Sequence, residues 1–220
     1  MKKFLVLSFL FVVIFTGCSK RGGGLVPTGA PTPTPPVTEE KGGEKEMPIA
    51  GKKILMIVAP TNFRDEEFQR PKAVFEQNQV LVTVAAKGVS EATGMFGARA
   101  AVDKDLSEAT VADFDAVVFV GGSGASVYFN DPQAQALARD AFSQGKVVGA
   151  ICIAPSILAN AGVLAGKKAT CFSSEAGNLQ NKGATYTGEP VTVDGKIVTA
   201  SGPEAADVFG EKIVELLTQS

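Results

Sequence analysis

Cys152 is the first residue of this chain that could do chemistry. It sits in the run Gly149-Ala150-Ile151-Cys152-Ile153-Ala154-Pro155. A nucleophile elbow is a tight strand-to-helix turn, and its crowding demands small residues two before and two after the reacting side chain. Both of those positions are alanine. A thiol at the amino end of a helix would also be favoured as thiolate by the helix macrodipole. The opposing reading is a small buried hydrophobe that ends a strand, a common fate for cysteine. Spacing alone leaves both open. The chain contains no histidine, so no dyad, triad or metal site that relies on imidazole can be built within it.

The elements around Cys152 follow from apolar periodicity. Residues 53–59, 80–85, 115–120 and 146–151 are continuous apolar runs, the mark of strands buried on both faces of a parallel sheet. Helical patterns cover residues 65–77, 132–143, 153–161 and 203–217, and residues 191–199 read as a hairpin with Asp194-Gly195 at its turn. Strand and helix alternate, which predicts an α/β fold: a doubly wound, mostly parallel sheet sandwiched by helices. In such sheets the site lies outside the carboxyl ends of the strands, where both Gly121-Gly122 and Cys152 fall.

Composition narrows the function classes. With 220 residues, 45% hydrophobic and 20% charged, the chain supports one substantial core. A net charge of −2 and a pI near 5.3 argue against nucleic acid as a partner. Gly121-Gly122-Ser123-Gly124 lacks the lysine and spacing of a phosphate loop and reads as a sharp turn. Asp103, Asp105, Glu108 and Asp113 read as caps and solvated faces, and Phe63, Phe68, Phe75 and Phe96 as core or interface. No cofactor and no metal is expected.

The N-terminus reads as a targeting segment. Lys2 and Lys3 precede the apolar run 4–15, and Phe15-Thr16-Gly17-Cys18 resembles a bacterial lipobox, which implies lipidation of Cys18 after cleavage before it. The run is shorter than the roughly 20 residues of a membrane-spanning helix. The following stretch carries Pro27, Pro31, Pro33, Pro35, Pro36 and Pro48 with Gly22-Gly23-Gly24, a composition that cannot offset its ordering entropy by burial. The expected organisation is a signal peptide over 1–17, a lipidated tether over 18–50 and one domain over 51–220. That places the domain at the bacterial cell envelope, lipid-anchored to a membrane on its extracytoplasmic face.

From Lys53 to the C-terminus the sequence resembles the ThiJ/PfpI superfamily, the flavodoxin-like group of the Parkinson-disease-associated deglycase and the PfpI-type intracellular proteases. The matching stretches are Phe63-Arg64-Asp65-Glu66-Glu67-Phe68-Gln69-Arg70-Pro71, Asp115 to Gly122, Ala150 to Pro155, Ala161 to Thr170, and Ser201-Gly202-Pro203. Their order and spacing along the chain carry the resemblance. It implies that Cys152 is the nucleophile and Glu67 its carboxyl partner. It also implies that the backbone N–H groups of Gly122 and Ile153 form an oxyanion hole, and that the protein is a homodimer. Asp65 and Glu66 read as solvated first-turn carboxylates.

Two departures matter. Protease-like members place histidine directly after the elbow cysteine, where this chain has Ile153. Deglycase-like members carry histidine on the strand after the elbow helix, where this chain has Cys171. Peptide hydrolysis suffers more, because an amine leaving group needs a general acid. Attack on a reactive aldehyde needs less. Three functions follow: cysteine-dependent chemistry on small reactive carbonyls or glycated adducts, redox sensing or holdase-like protection through oxidation of Cys152 with Cys171 as a redox partner, and least of all PfpI-type proteolysis.

Overall fold

The computed structural model describes residues 49–219. The signal segment, Cys18 and nearly all of the expected tether lie outside the described residues.

In chain order the strands are β1 (Lys53–Ile57), β2 (Thr61–Phe63), β3 (Leu81–Ala86), β4 (Glu91–Gly94), β5 (Arg99–Ala101), β6 (Lys104–Asp105), β7 (Ala116–Phe119), β8 (Val147–Ile151), β9 (Lys168–Ala169), β10 (Thr185–Tyr186), β11 (Val191–Asp194) and β12 (Ile197–Ala200). The helices are α1 (Asp65–Gln77), α2 (Pro132–Ser143), α3 (Pro155–Asn160), α4 (Ala176–Asn181) and α5 (Ala206–Thr218). Seven strands form one sheet in the order β11-β12-β8-β7-β1-β3-β6, and only β11 runs antiparallel to its neighbour. The protein is therefore a flavodoxin-like α/β sandwich.

The apolar runs explain the layering. Alternate residues of a strand face opposite sides. Ile54, Met56 and Val118 enter one core with Phe75 of α1 and Phe209 and Ile213 of α5. Leu55, Ile57, Val117 and Phe119 enter the other with Leu137 of α2 and Leu158 of α3. Each such side chain, fully buried, contributes about 1.5–3 kcal/mol relative to exposure. Local signals set the helix ends. Asp131 caps α2 by accepting from the N–H groups of Gln133 and Ala134 at 2.9 and 3.0 Å, with Pro132 at the first turn.

Three differences from the sequence expectations have physical reasons. α3 is confined to six residues and begins at Pro155, because residues 152–154 are taken up by a turn. A small sheet, β2-β4-β5, lies beside the main one; its strands are three or four residues long, too short for a hydrophobic period to show. Asp65 is not solvated. It is 7% exposed, and its carboxylate accepts from the N–H groups of Phe96 and Ala98 at 2.9 and 2.7 Å, pinning the β4–β5 turn to the start of α1.

The sheet changes direction of growth at β1, with β3 on one side and β7 on the other. The carboxyl ends of β1 and β7 therefore flank a crevice. Close approach of two loops shapes it. A Cβ on Gly122 (φ 93°) would overlap the backbone nitrogen of Arg64 and stand 2.6 Å from the Asn62 carbonyl oxygen. A Cβ on Gly124 would overlap the Thr61 carbonyl oxygen and stand 2.9 Å from Ala59 Cβ.

Two glycine-to-alanine changes should thus have opposite signs. Gly124→Ala meets backbone that must move and should lower stability by about 1–3 kcal/mol. Gly177→Ala, in α4 with nothing within 4 Å of the new Cβ, should raise it by up to about 1 kcal/mol through helix propensity. Urea denaturation of both variants checks the pair.

Candidate active site

Cys152 follows β8 directly and has φ 63°. A left-handed conformation at a residue with a Cβ costs on the order of 1–3 kcal/mol and persists only where its surroundings over-determine it. Here they do. The Cys152 N–H donates to Ala200 O at 2.9 Å, its carbonyl accepts from the Phe172 N–H at 2.7 Å, and the Ala154 N–H donates to Ile151 O at 3.1 Å. Ala150 and Ala154 are both fully buried against the turn, the reason small residues are needed there.

Glu67 lies in the first turn of α1 and is fully buried. Neither carboxyl oxygen has a hydrogen-bond partner; the Cys152 side chain lies beside it, close enough to shift its titration. Gly121 makes the approach possible, since a Cβ there would overlap Glu67 Oε2 and come within 2.6 Å of Cys152 Cβ. The backbone N–H groups of Gly122 and Ile153, expected to hold an oxyanion, lie close enough to the Cys152 sulfur to oppose the rise of its pKa. Four of the expected site residues thus converge.

Burial pushes the Glu67 carboxyl up to about 7. Burial, then the charge of Glu67, push the Cys152 thiol up to about 12, against the opposing pull of the two N–H groups. The expectation that a helix dipole would favour thiolate is overturned: α3 has only six residues and starts three positions beyond the cysteine, so burial and the neighbouring carboxylate dominate. The two groups titrate as a pair. One proton leaves near neutrality, and the second is held because a second charge would sit beside the first in a buried place.

Around the pair lies a cavity of about 630 Å³. Arg64, Met95, Phe129, Phe172 and Glu175 line it together with Cys152 and Glu67. Sequence reasoning missed the roles of Arg64 and Glu175 in this wall. Arg64 stood inside a quoted motif, but Glu175 lies in a short turn with no motif to mark it. The Arg64 guanidinium pairs with Glu66, with Nε 2.8 Å from Oε2, and lies 4.6 Å from the ring centre of Phe96. Phe63, Phe68 and Phe75 are core as expected, whereas Phe96 is 66% exposed.

Cys171 directly precedes Phe172, whose N–H donates to the Cys152 carbonyl at 2.7 Å. Cys171 is a free, buried thiol packed in the core on the α2–α3 side of the sheet, whereas Cys152, also free, borders the core on the α1–α5 side. Cys171 lines a second cavity, of about 480 Å³. Phe172 and Pro203 line both cavities.

The Glu67 shift has a consequence for stability. Its carboxyl, raised from 4.5 to about 7 in the fold, binds its proton more tightly folded than unfolded. The stability this confers is complete below about 4.5 and is lost as pH rises through about 7, amounting to about 3 kcal/mol by pH 8. Urea midpoints should therefore fall between pH 5 and 8 in the parent protein and stay level in Glu67→Gln.

The chain is similar to several known proteins. The sequence profile described as the DJ-1/PfpI family matches residues 52–216. The uncharacterized protein MJ0967 of Methanocaldococcus jannaschii is 37% identical over 180 residues, covering 80% of this chain and 88% of that protein. Protein/nucleic acid deglycase 2 of Escherichia coli is 30% identical over 76% of this chain and 98% of its own. The crystal structure of a ThiJ/PfpI domain protein from Brachyspira murdochii superposes with a TM-score of 0.76 at 33% identity, covering 78% of this chain and 99% of that one. With its elbow cysteine, its sheet order and a match that spans nearly all of the described residues, the chain belongs to the DJ-1/PfpI family.

Proposed function

We propose that this protein is a cysteine-dependent protective enzyme acting on small reactive carbonyls or their adducts, and that it works without histidine. The observation that carries the reading is an elbow thiol on a left-handed residue beside a buried carboxyl that has no hydrogen-bond partner. Relatives named as deglycases support it.

The paired groups supply both halves of the chemistry. With one negative charge between them, the pair can hold it on sulfur while Glu67 keeps the proton. The sulfur adds to an aldehyde carbon, and the carbonyl oxygen takes the Glu67 proton as it becomes a hydroxyl. The two N–H groups, released by a sulfur that has lost its charge, are then free for that oxygen. For a 2-oxoaldehyde, the Glu67 carboxylate next removes the proton from the carbon bound to sulfur. Its return to the neighbouring carbon leaves a 2-hydroxy thioester, and water releases the 2-hydroxy acid and the thiol. The net change is aldehyde plus water to 2-hydroxy acid.

A second reading, redox sensing, draws on the same thiol. A peroxide would convert Cys152 to a sulfenic and then a sulfinic acid, with water as the product of each step, and the added oxygens would meet the N–H groups of Gly122 and Ile153. Proteolysis would ask an amine leaving group to take the one Glu67 proton with no imidazole to relay another, and it has the least support.

Purified protein should convert methylglyoxal to lactate, and Cys152→Ala should abolish this. Undiminished turnover in that variant would remove the elbow from the mechanism. If methylglyoxal persists while dilute peroxide adds two oxygens to the Cys152 peptide, the sensing reading replaces the enzymatic one.

The location belongs to the same proposal. Lipid on Cys18 and a proline-rich spacer would hold the domain at the envelope surface, where carbonyls arriving from outside are met first. Metabolic labelling with radioactive palmitate should mark the parent chain and not Cys18→Ser.

A further inference from the structure

Glu175 is the last residue of a short turn, Ser173–Glu175, and occupies the N-cap position of α4, yet its side chain does not cap that helix. The carboxylate is instead drawn to two hydroxyls. Ser156 Oγ lies 2.7 Å from Oε2 and Ser174 Oγ 2.9 Å from Oε1. The direction of the first bond is forced. Ser156 is fully buried, and its oxygen already accepts from Asn178 Nδ2 at 3.0 Å, so its single proton goes to Glu175. Asn178 is held in turn by Asn160 Oδ1 at 3.2 Å, and Asn160 Nδ2 donates to Phe129 O at 3.0 Å. Glu175 is thus a carboxylate oriented from behind by a fixed network.

Its front faces the cavity of Cys152. The charged and titratable groups lining that cavity are Arg64, Glu67, Cys152 and Glu175. Arg64 is matched by Glu66, and the Glu67–Cys152 pair is engaged with itself. Glu175 forms no salt bridge among the described residues. A carboxylate offers about four lone-pair sites, and two hydroxyls leave it room for more donors. Phe129 and Phe172 line the same cavity, the latter 49% exposed; aromatic faces attract cations. The volume, about 630 Å³, suits a ligand far larger than a three-carbon aldehyde.

We propose that Glu175 is the specificity-determining residue of this site and selects carbonyl adducts whose carrier group is a cation, an ammonium or guanidinium. The proposal rests on the carbonyl reading of Cys152. It names the carrier on the adduct carbon: the Cys152 sulfur replaces that carrier on the carbon, and the carrier leaves with the Glu67 proton.

The test separates the two. Full-length protein is treated with methanethiosulfonates carrying a trimethylammonioethyl, a methyl or a sulfonatoethyl group. Each transfers its thio group to Cys152 as a mixed disulfide and releases methanesulfinate, and the Cys152 peptide is followed by mass. Rates are divided by those with free 2-mercaptoethanol. The cation-to-anion ratio should exceed that of the free thiol by about fivefold, collapse toward unity in Glu175→Gln and invert in Glu175→Lys. A purely structural Glu175 would change all three rates together and leave the ratio alone.

In parallel, kcat/KM is measured for methylglyoxal hemithioacetals of 2-(dimethylamino)ethanethiol, 2-mercaptoethanol and 3-mercaptopropionate. The cationic adduct should be preferred by a similar factor, and the preference lost in Glu175→Gln. Equal turnover of the three adducts, or a reagent ratio unmoved by both substitutions, overturns the selection and leaves the carbonyl chemistry standing. If no adduct is consumed while the reagent ratio follows residue 175, the carbonyl reading falls and cation selection stands.

Discussion

A carboxyl group buried without an N–H or O–H donor, beside a buried thiol, can share one negative charge with that thiol and no more. The Glu67–Cys152 pair is such an arrangement, and much of the local architecture exists to hold it. Left to water, either group would ionise by itself. Brought together in a low-dielectric place, each sets the protonation of the other. The cost is visible in the raised values of both groups and in the left-handed backbone at Cys152. That cost is borne by a sheet whose central strands are buried on both faces, and by α1 and α5 packed over it.

The sheet supplies position as well as stability. Glu67 arrives from the connection after β1, Gly121 and Gly122 from the end of β7, and Cys152 from the end of β8, which are adjacent in the sheet order. No single segment makes the site. The glycines matter because atoms of three segments must occupy one small volume, and a methyl group at 121 would overlap the Glu67 carboxyl. Asp65 serves the same end from outside: by holding the N–H groups of Phe96 and Ala98 it fixes the turn that carries Met95 to the cavity wall.

What could be read from the sequence follows from how long-range each feature is. α1 and α2 are found at their expected residues because their periodic faces are long and their caps local. The strands of the small sheet carry too few residues to show a period. The burial of Asp65 was hidden because its partners lie 31 and 33 residues away. That Cys152 and Glu67 lie together was implied by the family resemblance, since spacing alone left Cys152 open, yet the direction of the thiol's shift was not legible. It depends on desolvation and on a neighbour 85 positions away in the chain, whereas the short helix that suggested the opposite contributes little.

The missing histidine takes on a different meaning once the cavity is known. An imidazole beside the elbow would add a group that titrates near neutrality and can carry positive charge; here that place is held by Ile153, and the buried carboxyl itself titrates there. In the proposed chemistry proton transfer falls to Glu67, at the cost of making the pocket more negative above neutral pH. With Arg64 already matched by Glu66, nothing on the cavity wall offsets Glu175. On the proposed reading, a pocket so charged repels free carboxylates and favours aldehydes borne on cations. On that proposal the absence of histidine and the preference for a cationic carrier belong to one charge distribution, and Ile153→His should relax the preference while it eases proton transfer.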